Sequence, residues 1–136
     1  MSQTNASKST NAFAFVGRLL IAALFILGGL GKLAAPEATQ GYIASVGLPA
    51  PLLGLVVAVI VEAGGGLLLL VGYRARLVSL VLAAFTLILA VLFHKNFADQ
   101  NQMIHFLKNI AIVGGLLQIA AFGAGSFSLD GRRLRA

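Results

Sequence analysis

Four long apolar stretches make up most of the chain, and short polar segments separate them. They cover residues 13–34, 52–72, 77–93 and 103–122, and each is close to the roughly 20 residues that a helix needs to cross about 30 Å of hydrocarbon. Lipid offers backbone amides no partners, and the runs lack the period-two alternation of barrel strands. The pattern therefore predicts an all-α integral membrane protein, built as an antiparallel bundle of four transmembrane helices.

The segments outside these stretches are short. Residues 1–12 are expected to form a disordered polar tail, and residues 123–136 a basic tail. The first connection holds all three prolines of the chain and predicts a brief interfacial helix from Glu37 to Ser45. The next connection, Tyr73 to Arg76, is so tight that the second and third helices must be antiparallel neighbours. Residues 13–122 are thus predicted to form one membrane domain.

Composition and charge fit this interpretation. The chain is 59% hydrophobic and 10% charged, whereas soluble domains carry about 25% charged residues. The net charge of +6 could indicate nucleic-acid binding, but the basic residues have no aromatic interleaving and no soluble domain to carry them. The positive-inside rule instead places both termini in the cytoplasm, where the arginines would favour anionic lipid headgroups. The residues on that side are Lys8, Arg18, Arg74, Arg76, Arg132, Arg133 and Arg135.

Six polar residues at membrane depth are the candidates for ligand binding or proton relay. An ionisable side chain costs about 2.5 to 3.5 kcal/mol at the centre of a membrane helix on insertion scales, so such residues are functional candidates by default. Glu62 lies about ten residues along the second helix, near the midplane. His105, Lys108 and Asn109 share one face of the fourth helix. The six residues are Lys32, Glu62, His94, His105, Lys108 and Asn109.

Paired glycines occur close to these polar residues and predict close helix packing, because small residues let helix backbones approach one another. Lys108 is the expected partner of Glu62, and Lys32 is the second candidate. Two interpretations of the cluster stay open: an ion pair or hydrogen-bonded network that sets helix register, or a ligand or proton site. The packing glycines are Gly28, Gly29, Gly65, Gly66, Gly114 and Gly115.

Other chemistries receive little support from the residues. The chain has no cysteine, so it cannot itself cycle a thiol and a disulfide or bind an iron–sulfur cluster. His94 and His105 could hold a haem only if both turned inward, and no metal site is expected. The glycines of GGLGK and EAGGG do not follow a strand, so they do not form a phosphate loop.

Several segments together resemble the DoxX family of small bacterial inner-membrane proteins. They are RLLIAALFILGGLGKL, GYIASVGLPAP, VEAGGGLLLLVGYRAR, FHKNFAD and FLKNIAIVGGLLQIAAFGAGSFSLD. The resemblance extends from Gly17 to Asp130, and family positions fall on Lys32, Glu62, Lys108, Asn109, Gly114 and Gly115. It implies a multi-pass protein of the cytoplasmic membrane. The family is named for a subunit of an archaeal terminal quinol oxidase and is also linked to thiosulfate:quinone oxidoreduction.

The leading functional hypothesis is a quinone-linked accessory or redox subunit in the cytoplasmic membrane. A quinone would be its cofactor, and electrons would come from a redox partner subunit, since the chain has no recognisable electron carrier. One alternative is a small proton or solute transporter acting as a homo-oligomer. Another is a non-catalytic scaffold or assembly factor. Whether the protein is an enzyme stays open at this point.

Overall fold

The computed structural model describes residues 2–135, with side chains described for residues 8–133. Met1 and Ala136, at the ends of the two expected tails, lie outside the described residues, as does the side chain of Arg135. The described part of the chain is helical and contains no strand. Its elements are α1 (Ser2–Ala34), α2 (Pro36–Ser45), α3 (Pro51–Val59), a π-helical turn (Ile60–Gly64), α4 (Gly65–Val71), α5 (Ala75–Phe93), α6 (Gln100–Phe122) and α7 (Leu129–Arg135).

Within the described residues, four helices are long and apolar enough to cross a membrane, which confirms the predicted fold class. The second of these spans consists of α3, the π-helical turn and α4, which follow one another without a break and are called the second span below. Most side chains on the outer faces of the four helices are apolar and exposed, as expected for a bundle that lipid surrounds. The spans are Lys8–Ala34, Pro51–Val71, Ala75–Phe93 and Gln100–Phe122.

Helices extend into both segments that were expected to form tails, α1 over residues 2–12 and α7 over residues 129–135. α1 begins at Ser2 because the leader contains neither proline nor glycine to stop a helix. α6 begins at Gln100, three residues before the predicted start. The side chain of Asp99 accepts a hydrogen bond from the Asn101 amide at 2.9 Å, and this N-cap sets the earlier boundary. Beyond α6, the chain forms α7.

The interfacial helix expected in the first connection is present as α2. Pro36 occupies its first turn and Gly47, at φ +84°, follows its end, in agreement with the preference for proline at the start of a helix and glycine past its end. Ile43 is buried under α3, beside Gly54. The ring of Tyr42 stacks on Phe93 of α5, with centroids 5.0 Å apart. α2 therefore covers one end of the bundle, called here the α2 end.

The α1 helix and the second span approach each other backbone to backbone. A Cβ atom added to Gly29 would lie 2.8 Å from the amide nitrogen of Ala63, and one added to Gly66 would lie 2.8 Å from Ile26 Cγ1. Gly65 faces the other way, where an added Cβ would lie 3.0 Å from Leu82 of α5. The middle of the second span is thus held between α1 and α5.

A buried arginine closes the opposite end of the bundle, called here the termini end. The guanidinium of Arg18 in α1 donates hydrogen bonds to the backbone carbonyl oxygens of Ala124, of Phe127 at 2.6 Å and of Leu70 at 3.4 Å. Arg18 is fully buried. The sequence indicated a topology-determining charge at this position, whereas the structure shows a side chain that joins three segments.

Asp130 also stabilises the termini end, through hydrogen bonds to the start of α5. Its two carboxylate oxygens accept hydrogen bonds from the Arg74 and Ala75 amides, each at 2.8 Å, so it caps the start of α5 although it is distant in sequence. The Asp130 amide in turn donates to the Gly72 carbonyl at 3.0 Å. Gly72, at φ +72°, packs directly against Ser128, which leaves no space there for a side chain.

A Gly29→Ala substitution tests the contact between α1 and the second span. The new methyl group would press on the backbone of Ala63, and overpacking of this kind costs about 1 to 3 kcal/mol. We expect the melting temperature of the detergent-solubilised protein to fall. Gly31→Ala is the matched control, because the space around Gly31 is open, and it should melt at or above the wild-type temperature. Equal melting of the two variants would contradict the packing described here.

Candidate functional site

A carboxylate and an ammonium meet inside the bundle. The Lys32 Nζ atom, in the last turn of α1, lies 2.7 Å from Glu62 Oε2. Glu62 is buried, with 7% of its surface exposed, while the Lys32 side chain is 29% exposed. Oε2 accepts no hydrogen bond from the described residues, so the contact is an ion pair without hydrogen-bond geometry. The pair therefore has a protected acidic partner and a more accessible basic one.

Two local features of the helices make this contact. A Cβ atom added to Gly28 would lie 3.6 Å from Glu62 Oε1, so the carboxylate rests on the α1 backbone. Lys32 follows Gly28 by four residues and therefore lies on the same helix face. Glu62 itself belongs to the π-helical turn, a rare local geometry that is frequent at functional sites. The pattern of apolar residues predicts neither the π-helical turn nor the pairing of Glu62 with Lys32 rather than with Lys108.

Lys108, the partner expected first for Glu62, is not the residue that the structure brings to it. Its side chain is exposed on α6, and α6 packs mainly on α5. Lys32 extends instead from α1, which contacts the π-helical turn directly. Glu62 pairs with Lys32 because α1 is the helix that packs most closely on the π-helical turn.

A cavity of about 610 Å³ lies beside the ion pair, at the α2 end. This size falls within the range of about 300 to 1,000 Å³ that is usual for small-molecule sites. Its wall is mostly apolar and comes from α2, the loop after it, α3 and α5. Lys32 belongs to both the cavity wall and the ion pair. The polar residues of the wall are Lys32, Thr39, Tyr42, His94 and Asn109.

His94 and His105 are in contact at the rim of this cavity. Their rings stack with centroids 5.1 Å apart and planes 30° from parallel, and His94 lines the cavity. Burial, and after it the charge of His105, lowers the pKa of His94 from the usual 6.5. The surroundings of His94 therefore favour its neutral imidazole. No cluster of three or more metal-ligating side chains occurs in the described part of the chain.

The predicted site residues thus fall into two groups. Lys32, His94 and Asn109 line one cavity, with Glu62 behind Lys32 and His105 against His94. Lys108 lies apart. The packing glycines divide in a similar way: five have a neighbour where a Cβ would point, Gly115 against Ile21 of α1, whereas Gly114 faces open space.

Sequence reasoning missed the contribution of α2 and α5. Thr39 and Tyr42 line the cavity, and nothing in a short interfacial helix indicates which span it covers. The hydroxyl groups of Ser79 and Thr86 are buried on one face of α5 and have no hydrogen-bond partner among the described residues. Ser79 and Thr86 are seven residues apart in an apolar run, and residues at this spacing share one helix face. This spacing could have indicated a polar strip on α5.

Comparison with known proteins identifies the family. The DoxX family model matches residues 13–95, the segment that contains Lys32, Glu62 and His94. The chain belongs to the DoxX family. Its relatives include Inner membrane protein YqjF of Escherichia coli (strain K12), 43% identical over 115 residues that cover 85% of this chain and 87% of that protein. Inner membrane protein YphA of the same strain is 33% identical over 122 residues, which cover 86% of this chain and 87% of YphA.

These relatives and the four spanning helices identify this DoxX protein as a multi-pass inner-membrane protein. No solved structure matches the chain. The family match ends shortly after His94. It therefore includes both members of the ion pair but not α6, which carries His105, Lys108 and Asn109.

Single and double substitutions measure the ion pair. Lys32→Met would leave the Glu62 carboxylate buried without a countercharge, and we expect it to lower the free energy of unfolding by about 3 kcal/mol. Glu62→Gln should cost less, because the lysine can reach water. The double variant should recover part of the loss, as measured by denaturation in mixed micelles. Lys108→Met is the control and should cost nothing. A loss for Lys108→Met equal to that for Lys32→Met would refute this assignment.

His94 gives the protein a predictable response to acid. Because the folded state lowers its pKa, the unfolded chain binds more protons there, and His94 contributes stability above pH 6.5 that is lost as the pH falls through the lowered pKa. The melting temperature in detergent should fall on going from about pH 7.5 to about pH 5. His94→Gln should reduce this acid-induced fall. An unchanged fall in the variant would show that His94 makes no such contribution.

Proposed function

We propose that this DoxX protein is a quinone-linked accessory or redox subunit of the inner membrane, and that the cavity at the α2 end receives the quinone head group. The observation that carries the proposal is the double role of Lys32. Lys32 lines an apolar cavity, and its ammonium is paired with a carboxylate that is buried in the bundle. A hydrogen-bond donor thus meets a proton acceptor at the edge of an apolar site.

The residues of the cavity suit a quinone head group, which is a flat neutral ring with two carbonyl oxygens. The ring needs an apolar slot, and the side chains of Val57, Phe85 and Ile88 belong to such a wall. The carbonyl oxygens need donors, and the Lys32 ammonium and the Asn109 amide can supply them. Few polar groups within a mostly apolar wall are typical of small-molecule sites.

The ion pair supplies what proton-coupled chemistry requires from the protein. A bound quinone would contribute a two-electron, two-proton couple, and the protein must then hold and deliver protons. Lys32 Nζ lies 2.7 Å from Glu62 Oε2, and Lys32 also lines the cavity. The carboxylate lies within reach of the ammonium, and a rotation that aligns an N–H bond with Oε2 would let a proton pass between them. Electrons would come from a partner subunit, since the chain has no cysteine and no recognisable electron carrier.

Tyrosine fluorescence provides a local test of quinone binding. The chain has two tyrosines and no tryptophan. Tyr42 lines the cavity, whereas Tyr73 lies in the turn at the termini end. In a Tyr73→Phe background, titration with a short-chain ubiquinone should quench the Tyr42 emission saturably. The matched Tyr42→Phe protein, which emits from Tyr73, should show only weak and unsaturable quenching.

Substitution of Lys32, the proposed hydrogen-bond donor, completes the test of quinone binding. Loss of one charged hydrogen bond is worth about 1.5 to 3 kcal/mol, so Lys32→Met should weaken quinone binding by about tenfold or more. Lys95→Met is the control, because Lys95 is exposed and outside the cavity. Quenching that is equal at the two tyrosines, or binding that Lys32→Met leaves unchanged, would overturn the proposal.

The same variants distinguish the alternative functions. Proton flux into proteoliposomes that Glu62→Gln abolishes, without quinone binding, would favour a transporter. An effect of Glu62→Gln on stability alone would favour a scaffold.

A further inference from the structure

A second cavity, of about 810 Å³, lies at the termini end of the bundle. The first residues of α5, the segment after α6, Asn11 of α1 and residues of α7 form its wall. It is separate from the quinone cavity, which is at the α2 end, and the ion pair of Lys32 and Glu62 contributes nothing to it. Its distinguishing property is charge: Arg74, Arg76 and Arg133 all line it.

These three arginines have no ion-pair partner among the described residues. Among the described residues of the wall, Asp130 is the one carboxylate, and the Arg74 and Ala75 amides already occupy both of its oxygens. Three positive charges and one negative charge give the described residues of the wall two net positive charges. Arginine forms paired hydrogen bonds with phosphate oxygens, so the cavity suits phosphate groups.

The position of Arg76 gives a structural reason to expect its guanidinium at the cavity wall. A Cβ atom added to Gly123 would lie 3.2 Å from Arg76 Nε, so the guanidinium rests against backbone that has no side chain to displace it. Gly123 has φ +82°, in the left-handed region that favours glycine. The turn after α6 therefore supports the arginine at the cavity wall.

The apolar part of the same wall indicates that the phosphate belongs to a lipid. Leu77 and Phe122 line the cavity and are 55% and 76% exposed. Both belong to membrane-spanning helices. A ligand that fills this site needs anionic groups for the arginines and a hydrocarbon chain for these two side chains. Basic pockets between transmembrane helices bind headgroups of this kind.

We infer that the cavity at the termini end binds an anionic phospholipid, with its phosphate groups at Arg74, Arg76 and Arg133 and an acyl chain along Leu77 and Phe122. Two net positive charges match a lipid with two phosphodiester groups, such as cardiolipin, better than a lipid with one. The inference is independent of the quinone proposal, because the two cavities share no residue.

Native mass spectrometry of the delipidated full-length protein in neutral detergent tests this inference. The titrants are cardiolipin, phosphatidylglycerol, phosphatidylcholine and inorganic phosphate. We expect one cardiolipin to bind most tightly, phosphatidylglycerol more weakly, and phosphatidylcholine not above background. If inorganic phosphate binds as tightly as cardiolipin, the site recognises free phosphate and the lipid assignment is wrong.

Variants of the exposed arginines locate the site. Each arginine near anionic lipid contributes to binding, so Arg76→Gln combined with Arg133→Gln should weaken cardiolipin binding by about tenfold or more. Arg132→Gln is the matched control, since Arg132 is exposed on α7 but does not line the cavity. Circular dichroism verifies folding, and Arg76→Lys, which keeps the charge but removes the planar fork, provides a milder variant. An equal loss for Arg132→Gln, or no loss for the double variant, would overturn the inference.

Discussion

The close approach of α1 to the second span is the contact on which the candidate site depends. Gly29 lies directly on the backbone of Ala63, and Gly66 lies against Ile26. Without this approach Glu62 could not rest on Gly28 or meet Lys32 one turn later. A carboxylate inside a membrane costs free energy unless a partner is near. The glycines lower this cost because they allow α1 to bring Lys32 to Glu62. The packing contact and the polar site are therefore one feature of the molecule.

The two ends of the bundle are built differently. At the α2 end, a short helix covers the bundle and leaves an apolar cavity beside the ion pair. At the termini end, Arg18 and Asp130 hold the backbone of distant segments together, and an arginine-rich cavity opens next to them. At the termini end, the charges of buried Arg18 and partly buried Asp130 thus serve structure, because each has backbone hydrogen-bond partners. At the other end, Lys32 is half-buried and faces a cavity, which suits an exchangeable ligand or proton.

α6 has a different relation to the site from the other spans. It packs mainly on α5, and only Leu116 is buried among its described side chains. Asn109 reaches the cavity and His105 stacks on His94, whereas Lys108 remains exposed. α6 therefore completes the wall of a site whose central ion pair belongs to α1 and the second span. The family match follows the same division, since it covers those elements and ends before α6.

The sequence by itself determined the four spanning helices, the interfacial helix α2 and the presence of a carboxylate at membrane depth, because hydropathy, proline positions and the cost of buried charge are local properties. It also identified the residues that could form a polar cluster. Only the tertiary structure decided that Lys32, and not Lys108, pairs with Glu62, and that Arg18 is a buried link. The same holds for the π-helical turn, the cavity and the capping of α5 by Asp130. These features depend on which helix faces which neighbour, and helix spacing fixes the side chains that share a face but not the helix that lies opposite.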